Sequence, residues 1–166
     1  MIRFTAAALA LASLLLVGNP AHAVEPGTLA PDIKLAGAQG PVNLAAMKGK
    51  VVYLDFWASW CGPCRQSFPW MNEMQAKYAA KGLQIVAVNV DAKREDADKF
   101  LAEVPAAFGV AFDAQGDTPK RYAIKGMPTS LLIGPDGKVI SVHAGFKGAE
   151  RKELEDAIAG ALVATR

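Results

Sequence analysis

Two stretches, Val51-Val52-Tyr53-Leu54-Asp55-Phe56 and Leu83-Gln84-Ile85-Val86-Ala87-Val88-Asn89-Val90, are nearly continuous apolar runs of strand length. A strand with one wet face alternates; a run without alternation is covered on both faces, as strands inside an α/β sheet are. Between the runs, Phe68, Met71, Met74 and Tyr78 recur at three- and four-residue spacing, which is one face of a helix. A strand, helix and strand of this length close as a right-handed crossover with the strands parallel. The 166 residues, 52% hydrophobic and 20% charged, supply apolar mass for one domain around this unit. A domain of that size buries roughly 70% of its unfolded surface, so it needs no disulfide to fold. The formal charge is +2, and Lys and Arg cluster no further than isolated pairs such as Lys93-Arg94, which excludes nucleic acid as a leading partner.

The remaining segments read as α/β with a mixed sheet. Asp32–Leu35 and Val42–Leu44 alternate around a Gly-rich turn and predict a short edge hairpin. Helices are predicted over Arg94–Glu103, over Asp117–Ala123 with Asp117 or Thr118 as N-cap, and over Glu150–Ala164 with Leu154, Ile158 and Leu162 on one stripe. Ser130–Ile133 and Lys138–Val142 flank Gly134-Pro135-Asp136-Gly137 and predict a second hairpin. Pro69 is expected to kink the long helix. Residues 1–23 carry Arg3, an apolar run from Phe4 to Val17 and the small-residue end Ala21-His22-Ala23, the pattern of a secretory signal cleaved after Ala23. The run falls short of the roughly 20 residues that span a bilayer, and a retained anchor is the alternative. Residues 24–166 then form the exported, soluble domain, expected to be a monomer in the periplasm.

Chemistry is concentrated in Trp60-Cys61-Gly62-Pro63-Cys64-Arg65, at the joint between apolar strand and helix. Cys61 and Cys64 are the two cysteines of the chain. A structural disulfide across so short a loop contributes only about 2 kcal/mol in the chain-entropy model, a poor staple. A closed zinc site needs four ligands, and with His143 the pair offers three, so no metal set is assigned. Redox chemistry remains as the leading reading. The N–H groups and dipole of a helix start favour a thiolate at Cys61, and Pro63 has no N–H to leave unpaired in the first turn. Cys64 falls one turn inward, so Cys61 is the expected attacking thiolate and Cys64 the resolving one. Lowering a thiol from about 8.5 to about 7 gains roughly 16-fold in thiolate at pH 7 and loses roughly fivefold in nucleophilicity. The larger consequence of acidity is a better leaving group and a more stable reduced form.

Asp55-Phe56-Trp57-Ala58-Ser59-Trp60-Cys61-Gly62-Pro63-Cys64, Pro69 and Gly126-Met127-Pro128-Thr129 resemble the thioredoxin superfamily. Ala30-Pro31-Asp32, Gly49-Lys50-Val51-Val52, Val86–Val90 and the extra segment around Arg94–Phe112 further resemble its exported TlpA/ResA-like branch. The resemblance implies a thioredoxin fold with an N-terminal β extension and an insert, and thiol–disulfide exchange with no cofactor beyond the Cys61-Cys64 pair. It implies a cis peptide between Met127 and Pro128, facing the cysteines and leaving Met127 to bind a client chain, with Trp60, Gly62 and Pro63 beside it. It assigns Asp55 to proton transfer with Cys64, and burial in an apolar strand would raise its pKa to suit; a solvated or purely structural Asp is the alternative. The Gly62-Pro63 dipeptide is that of thioredoxins and points to a reductant of disulfide-bonded periplasmic proteins, fed by a membrane thiol donor. The resemblance leaves service in cytochrome c or copper-enzyme maturation open without indicating it: Ser67 stands where many ResA-like proteins carry Glu, and Met127-Pro128-Thr129-Ser130 lacks the Glu that cytochrome-maturation members often place around that turn. The alternatives are a Cu(I)-binding or copper-site assembly protein and a disulfide-forming oxidant. A peroxidase is disfavoured because Ala58, not Thr, lies three residues before Cys61.

Overall fold

The structure, a computed structural model, describes residues 24–164; the expected signal segment lies outside them. Its centre is a five-stranded mixed sheet of β3 (Val51–Trp57), β4 (Leu83–Asn89), β5 (Gly109–Phe112), β6 (Thr129–Ile133) and β7 (Val139–Ala144) in the order β5-β4-β3-β6-β7. β3 runs parallel to β4 and antiparallel to β6, β4 runs parallel to β5, and β6 and β7 form the expected hairpin. All seven residues of β3 are buried, as its unbroken apolar run requires. The crossover between β3 and β4 is α1 (Gly62–Tyr78), one helix that continues through Pro69, whose missing N–H leaves the Arg65 carbonyl without its helical donor. Among the described residues, no helix is long and apolar enough to cross a membrane.

Strand alternation sorts the core into two layers. Tyr53 and Trp57 of β3 pack with α1 and with α4 (Arg151–Val163), while Val52, Leu54 and Phe56 pack on the opposite face with Ile33, Val42 and Tyr122. α2 (Arg94–Glu103) contributes Phe100 to the first layer. There Trp57, Phe68 and Phe100 lie 4.7–5.0 Å apart, centroid to centroid, and Phe108 lies 5.3 Å from Phe68. Such aromatic pairs add about 0.5–1.5 kcal/mol each beyond the area they bury, and this cluster underlies the start of α1.

Three features depart from the sequence-based expectations. β5 was not expected, because four residues, Gly109-Val110-Ala111-Phe112, are too few to show a period. α3 stops at Arg121 (Asp117–Arg121) and its N-cap is Gly116; the Thr118 N–H is satisfied instead by Asp113 Oδ2 at 2.6 Å. The N-terminal extension is more than an edge hairpin. β1 (Lys34–Leu35) and β2 (Val42–Asn43) pair as predicted, but the chain before them bonds β7 through Gly27 and Thr28 to Val139. The chain after β1 bonds β5, Phe112 N–H to the Ala36 carbonyl at 3.0 Å and Ala38 N–H to the Val110 carbonyl at 2.9 Å. The extension thus ties down both edge strands, which would otherwise present unpaired backbone groups.

Candidate active site

β3 ends at Trp57, the chain turns through Ala58–Cys61, and α1 begins. Cys61 is the N-cap of α1, with extended backbone angles (φ −85°, ψ 101°), and its Sγ accepts the Cys64 N–H at 3.3 Å. The sulfur therefore occupies the place that an Asp or Ser oxygen takes at an ordinary helix start, against the unpaired N–H groups and the positive dipole end. Gly62 and Pro63 fill the first two helical positions and are exposed. Cys61 and Cys64 are joined as a disulfide, Cys61 at 4% exposure and Cys64 at 0%. The small remaining access lies at Cys61. Trp60 stands 71% exposed beside it, while Trp57 is core.

Asp55 lies on β3 between Tyr53 and Trp57, on the face that packs against Cys61 and Cys64. It is 2% exposed, and its Oδ2 has no hydrogen-bond partner. Burial holds its carboxyl well above the usual carboxylate range. The alternative of a solvated strand-end Asp is thereby excluded. Ser130 of β6 is its cross-strand neighbour, and the Tyr53 hydroxyl donates to Ser130 Oγ at 2.8 Å. Burial and the nearby Asp55 push the Tyr53 phenol up as well. The Trp57 indole N–H is a second buried group without a partner on this face.

The Met127–Pro128 peptide is cis. The pairing of Phe56 with Thr129 sets this turn beside the end of β3, and Met127 packs against the core cluster that holds both cysteines. Thr129 Oγ1 donates to the Gly126 carbonyl at 2.7 Å and tightens the turn. A groove of about 410 Å³ opens beside it, lined largely by apolar groups that include Tyr122, Ile124, Met127, Val142 and Ala144. The structure thus brings together Cys61, Cys64, Asp55, Gly62, Pro63, Met127 and Pro128, with Trp60 on the rim. Arg65, in the first turn of α1, is exposed; it pairs with Glu103 at 2.8 Å and lies over the Phe100 ring. His143 lies on β7 and meets Glu150 at 3.3 Å. Sequence reasoning missed Asp91, Asn89 and Ser59, which form a polar knot behind the turn with Asn89 and Asp91 buried and Ser59 half-buried, and the Tyr53–Ser130 pair. Asn89 and Asp91 are near neighbours, but Ser59 lies 32 positions from Asp91 and Tyr53 lies 77 from Ser130, and no local spacing signals those pairs.

Comparison with known proteins places this arrangement among relatives. The Redoxin family model matches residues 25–158. Thiol-disulfide oxidoreductase ResA of Bacillus thuringiensis is 38% identical over 131 residues, covering 78% of this chain and 74% of its own. ResA of Bacillus subtilis is 34% identical over 125 residues, 75% of this chain and 70% of its own. A crystal structure described as a DsbE-type thiol:disulfide interchange protein, from Chlorobium tepidum, is 61% identical, with a TM-score of 0.83 over 84% of this chain and 99% of that one. The thioredoxin domain of a thiol-disulfide oxidoreductase from Bacteroides vulgatus is 27% identical, with a TM-score of 0.73 over 82% and 99%.

Proposed function

Because the chain belongs to the Redoxin family and is a thiol–disulfide oxidoreductase of the ResA and DsbE type, we propose that it reduces disulfides of exported client proteins in the periplasm. The observation that carries the reading is the Cys61–Cys64 pair at the start of α1, with Cys61 as its N-cap, directly after the strand that carries the buried Asp55. In the reduced protein the Cys61 thiolate attacks one sulfur of a client disulfide. A mixed disulfide forms and the client's other sulfur leaves as a thiolate. Cys64 passes its proton to the Asp55 carboxylate and attacks Cys61 Sγ. The second client sulfur leaves, the client has gained two electrons, and the Cys61–Cys64 disulfide has formed. Asp55 returns the proton to the departing thiolate or to solvent. A buried carboxyl held above its usual range is a stronger base once ionised, which suits that relay.

Met127 offers backbone next to the cis-Pro for short-strand pairing with the client, and the adjoining apolar groove takes the client's side chains. Trp60 adds an exposed apolar rim. The two electrons are restored by a thiol donor, which in an oxidising compartment must come from a membrane partner. Cytochrome c or copper-enzyme maturation would supply clients of this chemistry, exported proteins that carry a disulfide to be reduced. The test is trapping. Cys64→Ser should accumulate mixed disulfides with oxidised periplasmic proteins, Cys61→Ser should not, and mass spectrometry of the trapped species identifies the clients. Trapping through Cys64 instead would overturn the assignment of the two sulfurs.

A further inference from the structure

The turn that delivers Cys61 is held from outside its own element. Ala58–Cys61 is closed by the Cys61 N–H donating to the Ala58 carbonyl at 3.1 Å. Ser59, the second residue of this turn, donates its backbone N–H to Asp91 Oδ2 at 2.9 Å and its hydroxyl to Asp91 Oδ1 at 3.0 Å. Asp91 lies just past β4 and is fixed in turn by Asn89: Asn89 Nδ2 donates to Asp91 Oδ2 at 2.7 Å, and the Asp91 N–H donates to Asn89 Oδ1 at 3.1 Å. Asp91 is 6% exposed and Asn89 is buried. Between them, the Val90 N–H donates to the Trp57 carbonyl at 3.0 Å, so the end of β4 grips the last residue of β3 as well as the turn. A carboxylate that accepts two bonds from one residue restrains that residue's orientation as well as its position.

We propose that Asp91, acting through Ser59, is a positioning residue that keeps the Cys61 thiolate at the N-terminus of α1 in the reduced protein. While the disulfide is closed, Cys61 is tethered to Cys64. Once it opens, the turn alone must hold Sγ near the Cys64 N–H. The favourable field of a helix end falls off within one turn, so a slight rotation of Ala58–Cys61 weakens the thiolate. The proposal rests on the reading of Cys61 as the attacking sulfur.

The test is the pH dependence of alkylation of the reduced protein by iodoacetamide, with the modified cysteine located by peptide mass mapping. Wild type, Ser59→Ala, Ser59→Thr and Asp91→Asn are compared. Ser59→Ala deletes the hydroxyl bond and leaves the backbone bond. It should move the Cys61 midpoint upward and slow reaction at pH 7 by about threefold to tenfold, the weight of one hydrogen bond. Ser59→Thr keeps the hydroxyl and should restore the wild-type profile. Asp91→Asn sets an amide N–H₂ against donors and should exceed Ser59→Ala; if it fails to fold, the two Ser59 variants decide. An unchanged midpoint in Ser59→Ala, with or without a change in thermal stability, overturns the proposal and leaves the knot a purely structural role. First alkylation at Cys64 is a separate outcome that overturns the Cys61 assignment, and the proposal with it.

Discussion

Asp55 is a buried acid whose neighbours offer its Oδ2 no hydrogen bond, so its ionisation weighs against the fold. The unfolded chain ionises it near the ordinary Asp value of about 3.9. Above that pH and below the raised folded value, the unfolded state holds fewer protons than the folded state. The site's contribution is therefore intact below about pH 4 and is lost by about 1.4 kcal/mol per pH unit above it, until the folded carboxyl also titrates. Asp55→Asn should accordingly gain stability relative to wild type between pH 4 and pH 7, read by urea unfolding of the oxidised protein at both ends; a difference independent of pH would contradict the burial argument. The same variant should slow resolution of a mixed disulfide on the order of a hundredfold, the lower range for a positioned acid–base group, read by stopped-flow fluorescence. Unaltered resolution would remove Asp55 from the proton path. The position of this acid was legible in Val51–Phe56, because a charged residue inside an unbroken apolar run has nowhere wet to go. Ser130 and Tyr53 beside it were not, since they meet only when β3 and β6 come into register.

At the scale of elements, the extension matters through the strand edges it covers. Gly37 lies opposite Ala111 of β5, and a Cβ built on it would come within 2.4 Å of the Gly40 carbonyl oxygen and 2.8 Å of the Val110 carbonyl oxygen. Both contacts are with backbone, which yields poorly. Gly37→Ala should therefore cost about 1–3 kcal/mol of stability, measured as a lowered urea midpoint, while the alkylation rate of Cys61 stays at the wild-type value. A variant as stable as wild type would show that the extension does not seal β5. The long elements were legible because their periods are: the buried strands β3 and β4, the helical stripe of α1 and the turn Gly134–Gly137. β5 and the cap of α3 were not. One is a four-residue strand defined by its neighbours, and the other takes its acceptor from Asp113, upstream of Gly116. The same limit hid the Asp91 knot, where a turn residue and its acceptor are 32 positions apart.

For the whole molecule, the arrangement is a rigid sheet that places a dithiol, a buried acid and a cis-Pro turn at one end, where β3 stops and α1 starts. The site was legible as a motif, since Cys-Gly-Pro-Cys at a strand-to-helix joint carries its own physical reason. The direction of electron flow is a property of the assembled site. A sulfur capping α1 is stabilised as the thiolate, which favours the reduced form, but the balance also depends on the buried acid and on the turn behind it. Thioredoxins, with the same Gly-Pro dipeptide, lie near about −270 mV, and the oxidant DsbA lies near about −120 mV. The central claim, that this pair donates electrons to client disulfides, is tested most directly by the reduction potential of the Cys61/Cys64 couple, measured by equilibration in defined thiol buffers with Cys61→Ser as the blank. A value of about −250 mV or lower is predicted, whereas one above about −180 mV, in the range of disulfide isomerases and oxidants, would contradict the claim.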